Sequence, residues 1–101
     1  MSTQKLYYEN SHLSRFSALV LSCAKTEKGF EVDLIVSRGS KVRPIEIKSA
    51  MTFNGKLTAN LQKYTDEDPM AEKPLLVYDG EPVESFGPQR VSAVNFRHFE
   101  L

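Results

Sequence analysis

Apolar and polar positions alternate through "FEVDLIV" (residues 30–36) and again through "VRPIEIK" (residues 42–48), with "SRGSK" between them. A period of two marks a half-buried strand, and Gly39-Ser40 places glycine where a two-residue hairpin loop of the II′ type favours it. The pattern predicts a β-hairpin. Pairing outward from that loop sets Asp33 opposite Glu46 and Glu31 opposite Lys48, and all four share one face with Ile35 and Val42. Val32, Leu34, Val36, Ile45 and Ile47 form the other face, a continuous apolar surface.

The same reading extends along the chain. "FSALVLSCA" (residues 16–24) is a strand, and "KTEKG" supplies the turn into the next one. After the hairpin, "MTFNGKLTANLQKY" carries Leu57, Leu61 and Tyr64 at i, i+4 and i+7, the stripe of an amphipathic helix. Thr52 or Asn54 is its cap, and the acidic "TDEDP" with Pro69 ends it. "KPLLVYD" (residues 73–79) suits a buried strand, and "VSAVNF" (residues 91–96) suits a last one after the Gly/Pro-punctuated "GEPVESFGP". Residues 2–14 fit either a short helix or an irregular arm, and neither a repeat nor a low-complexity tract is present. The order predicts an α/β (α+β) chain with a sheet under helical cover.

Composition narrows the function classes. A chain of 101 residues predicts one domain, with residues 1–15 the least defined. Thirteen basic and thirteen acidic side chains cancel, which argues against gripping nucleic acid by bulk electrostatics and leaves only local patches. Cys23 is alone, so it has no internal disulfide partner, and no Cys/His group has zinc spacing. Residues 16–24 resemble a secretory apolar core, but the stretch before them is long and contains Glu9, and cleavage at Cys23 would discard a strand. No segment nears the roughly 20 apolar residues of a membrane span. A soluble, cytoplasmic protein with no membrane association is the expectation.

Opposed carboxylates repel, so Asp33 and Glu46 need compensation. Lys48 can neutralise one of them, Glu31 can pair with Lys48 instead, and a divalent cation can bridge the two through hard oxygen ligands. Mg²⁺ or Mn²⁺ suits such a pair, and a lysine beside it would orient water or stabilise charge on a phosphate. That constellation points to phosphodiester hydrolysis. The plain alternative is a solvated sheet face carrying surface ion pairs, but Ile35 and Val42 lie on that face and imply a cover.

Asp33 followed by Glu46-Ile47-Lys48 also resembles the D…(D/E)xK signature of the PD-(D/E)XK nuclease superfamily. The wording "GFEVDLIV…G…PIEIKSAMTFN" resembles one branch more closely: the C-terminal domain of unknown function that follows an AAA-type ATPase module in bacterial and archaeal ATP-binding proteins. The likeness covers residues 29–54, extends loosely through "LTANLQKY" and "PLLVYDG", and fades at both ends. It implies a restriction-endonuclease-like core, a central mixed sheet of about four strands flanked by helices. It further implies Asp33 and Glu46 as metal ligands and Lys48 as the catalytic lysine. "YYEN" resembles the "FEN" of the ATPase-linked branch and makes Glu9 an accessory candidate, alongside Glu31. Gln62 is a third, although Gln62-Lys63-Tyr64 departs from the Gln-x-x-x-Tyr of related exonucleases.

The remaining chemistry-bearing residues favour ordinary roles. His12 and His98 have no partner motif, and Tyr64 fits the core. Lys56 and Lys63 on the helix, with Arg38, Lys41 and Arg43 near the hairpin, are a solvated face unless that side borders the site. No G-x-x-x-x-G-K-[ST] loop exists, so the chain is not itself the ATPase. Two functions follow from these residues. One is a metal-dependent nuclease-like domain acting on nucleic acid, partnered with an ATPase domain in cis or in trans. The other is a catalytically silent regulatory or partner-binding module of the same ATPase family.

Overall fold

Strands β1 (Ser2–Tyr8), β2 (Leu19–Lys25), β3 (Glu31–Arg38) and β4 (Lys41–Ile47) form an antiparallel meander in the computed structural model, which describes residues 2–8, 19–25 and 31–100. The expected β3–β4 loop is present: Arg38 pairs with Lys41, and of the two loop residues only Gly39 has positive φ, at 58°. Residues 48–54 lead into a 3-10 turn (Gly55–Thr58) and helix α1 (Ala59–Glu67), and the Asn54 side chain caps the turn by accepting from the Lys56 amide. This crossover returns the chain to β5 (Leu75–Tyr78), parallel to β4 as a helical connection permits. A closing hairpin, β6 (Val83–Phe86) and β7 (Val91–Asn95), then sets β7 parallel to β5.

The result is a mixed α+β architecture, a seven-stranded sheet ordered β1-β2-β3-β4-β5-β7-β6. Two differences from expectation stand out. The N-terminal segment is the strand β1 rather than a helix or an arm, and β6 forms inside the stretch expected only as a punctuated connection. The sheet therefore has seven strands instead of about four, and α1 is the one α-helix among the described residues. No helix among them is long and apolar enough to cross a membrane.

Both faces of the sheet bury apolar side chains. Beneath α1, Val32, Ile35, Leu76, Tyr78, Val91 and Ala93 pack with Leu61 and Tyr64 of the helix, which is what the Leu57, Leu61, Tyr64 stripe requires. On the opposite face Val36, Ile45, Leu75 and Val77 form a second cluster, closed by Phe99. Val32 departs from the simple alternation. It joins Ile35 under the helix because β3 takes three steps, from Val32 to Ile35, while β2 takes two, from Ala24 to Ser22. That extra residue is a β-bulge at Asp33 and Leu34, and such a bulge re-aims the side chain it carries.

Candidate functional site

The bulge decides where Asp33 points. The β3–β4 ladder is regular from Arg38–Lys41 to Leu34–Ile45, and at Asp33 a side chain takes over from the backbone: Asp33 Oδ2 accepts the Ile47 amide at 2.8 Å. Glu46 stands one residue before Ile47, on the face that α1 covers, and is only 2% exposed. Ile47 projects from the other face and is 52% exposed, so it adds little to the apolar surface expected of it. Lys48 follows the strand, its amide donating to Val77 O at 2.9 Å and its Nζ lying 4.0 Å from Glu46 Oε1. Asp33, Glu46 and Lys48 are thus brought together.

Their electrostatics follow from burial. Glu46 is pushed up from 4.5 to about 7, first by burial and then by the charge of Asp33; Lys48 opposes the shift, a hydrogen bond with Asp33 adds to it, and one with Asn60 opposes it. Its Oε2 is buried with no hydrogen-bond partner, a costly condition for a carboxylate oxygen. A carboxyl so placed has two ways to be satisfied: it keeps its proton near neutral pH, or it gains a positive neighbour. The group is chemically unfinished as it stands.

A family model described as a domain of unknown function, DUF4143, matches residues 4–99, nearly the whole chain. The chain belongs to the DUF4143 family. No curated protein matches it.

Within this DUF4143 chain the other expected site residues lie as follows. Gln62, on α1, turns toward the β6–β7 connection: Nε2 donates to Phe86 O at 2.9 Å and to Thr58 Oγ1 at 3.4 Å, and Oε1 accepts the Gln89 amide at 3.0 Å. Glu31 begins β3 opposite Lys25 of β2. Glu9 and His12 lie outside the described residues. Tyr64 is a core residue, and its hydroxyl donates to Asp68 Oδ2 at 3.1 Å. Among the described residues no three His, Cys, Asp or Glu side chains are grouped to hold a metal, and the carboxylates that these residues offer a cation here are Asp33 and Glu46.

Asn60 is the contributor that the sequence reading passed over. It sits three residues after Leu57 and one before Leu61, on the flank of the apolar stripe, and its amide reaches the Glu46 carboxylate. A polar residue at that position of an otherwise buried stripe was the available signal, because it requires a polar partner across the interface.

Proposed function

We propose that the chain is a nuclease-like domain that hydrolyses nucleic-acid phosphodiester bonds with a divalent cation, Mg²⁺ or Mn²⁺, and works with an AAA-type ATPase module in cis or in trans. One observation carries the reading: a buried, unpartnered Glu46 oxygen beside the carboxylate of Asp33, with Lys48 Nζ at 4.0 Å. Two hard carboxylates suit Mg²⁺, which takes one or two from a protein and completes its shell with water and phosphate oxygens. When bound, the cation would supply a more acidic water and neutralise charge on the phosphate.

In this reading Asp33 and Glu46 are the ligands, and the bulge of β3 holds Asp33 in place through the Ile47 amide. Asn60 steadies the ionised form of Glu46 from α1. Lys48, at the exit of β4, would contact a non-bridging phosphate oxygen and hold the attacking water in line. The segment from β2 to β5, with α1 as its crossover, is then the restriction-endonuclease-like core. Membership of DUF4143 is consistent with a place behind an ATPase module, and it leaves the activity open.

A second reading has its own support. Glu46 is 2% exposed under α1, and one Asp33 oxygen is already engaged by Ile47. A glutamate closed in this way suits a silent module, in which the fold is kept for regulation or partner binding. Cleavage of plasmid and single-stranded DNA and of RNA by the purified chain, with Mg²⁺ or Mn²⁺, separates the two. The nuclease reading expects cutting that EDTA abolishes and that Lys48→Ala lowers by about a hundredfold or more, the scale on which charge stabilisation acts. Folded wild-type protein that cuts nothing would hand the function to the regulatory reading.

A further inference from the structure

Arg38, Lys41 and Arg43 lie at alternate positions on one face of the β3–β4 hairpin, and that face is opposite to the one carrying Glu46. Lys73, just before β5, joins them around a groove of about 360 Å³. Val36 and Ile45 line it together with Phe99, which packs against the same apolar cluster. Glu72 and Glu100 line the same groove. None of the four cationic side chains forms an ion pair with a carboxylate among the described residues.

Two details show that this groove is built and not merely lined. Arg43 Nε donates to the Lys73 backbone oxygen at 2.8 Å, which fixes the guanidinium and leaves its terminal nitrogens for another acceptor. Lys73 itself has φ 51°, an uncommon conformation for a residue with a side chain. Burial, and then the neighbouring Arg38, hold Arg43 below its ordinary pKa, as like charges gathered on one face require.

We propose that this groove binds a small organic phosphate, its phosphoryl group held by Arg38, Lys41, Arg43 and Lys73 and its ring or apolar body resting on Phe99. The volume falls in the range of small-molecule sites, and guanidinium groups match phosphate oxygens two at a time. Four cationic side chains against the two carboxylates of Glu72 and Glu100 leave the lining only modestly positive, which suits one compact anion better than a continuous phosphate backbone. The site is separate from the Asp33, Glu46 and Lys48 centre and stands or falls independently of any nuclease activity.

Calorimetric titration of the whole chain with adenosine monophosphate, inorganic phosphate and a short single-stranded oligonucleotide tests it. The expected result is saturable one-to-one binding of the monophosphate, about tenfold tighter than inorganic phosphate and weakened by salt. Arg38→Glu with Lys41→Glu, both exposed positions on the hairpin, should weaken it by about tenfold or more while thermal unfolding stays cooperative. Lys73→Gly removes the ammonium where glycine suits the backbone, and it too should lower affinity. The proposal is overturned if charge reversal has no effect or if no monophosphate binding is seen. Inorganic phosphate binding as tightly as the nucleotide, or an oligonucleotide alone binding with affinity that grows with its length, would overturn it as well.

Discussion

At the scale of single residues, Glu46 is where burial and charge meet. Its carboxyl is raised from 4.5 to about 7, so between those values the folded chain keeps a proton that the unfolded chain releases. The folded state binds more protons there, and stability therefore falls as pH rises through that window, by on the order of 1–3 kcal/mol. Glu46→Gln keeps the shape and removes the titration. Thermal unfolding should show the wild type losing stability between about pH 5 and pH 8 relative to the Gln variant, with the variant the more stable of the two at the upper end. If the two respond to pH in parallel, Glu46 ionises as easily folded as unfolded, and burial beneath α1 does not govern it.

Among the elements, α1 is held at both ends of its role: Leu61 and Tyr64 seat it on the sheet, and Gln62 ties it to the β6–β7 turn. Gln62→Ala removes a donor to Phe86 O and an acceptor from the Gln89 amide, leaving both backbone groups to find water. A loss of about 1–3 kcal/mol in urea unfolding is expected. Gly87→Ala should cost at least as much, since its φ is 78° and a Cβ there would collide with the Gln62 amide. An unchanged midpoint for Gln62→Ala would mean that the turn is held without it. These same elements show what the chain discloses before it folds. The β3–β4 hairpin is readable because alternation and Gly39 agree, and the helix because Leu57, Leu61 and Tyr64 share a stripe. The bulge at Asp33 is not readable, because it is a property of how β3 meets β2 and leaves no mark in β3 alone. β6 is a four-residue edge strand with mostly exposed side chains, so it has no apolar pattern to betray it. The Asp33, Glu46 and Lys48 grouping was visible as a spacing, yet the burial that makes Glu46 unusual depends on α1 and Asn60, which arrive from across the sheet.

On the scale of the whole molecule, the sheet separates two charged centres of opposite sign, an acidic pair whose Glu46 is buried beneath α1 and a cationic groove on the far face. A ligand that binds only the native state raises its stability by an amount set by concentration over Kd, about 2.7 kcal/mol at a hundredfold excess. A cation held by Asp33 and Glu46 must also displace the proton that Glu46 retains near neutrality, so its effect should grow as pH rises past about 7. Mg²⁺ or Mn²⁺ at a fixed concentration a hundredfold above its pH 8 Kd should therefore raise the Tm of the wild type by about 10–20 °C at pH 8, on the scale of roughly 4–8 °C per kcal/mol for a domain of this size, and by less at pH 6. Asp33→Asn and Glu46→Gln should each abolish that gain. Arg38→Glu with Lys41→Glu should leave it intact, because those side chains lie across the sheet from the carboxylates. A wild-type Tm that ignores both cations at both pH values would show that proton sharing between Asp33 and Glu46 satisfies the site without a metal. The pair would then serve as the structural seam between α1 and the sheet, and the regulatory reading would follow.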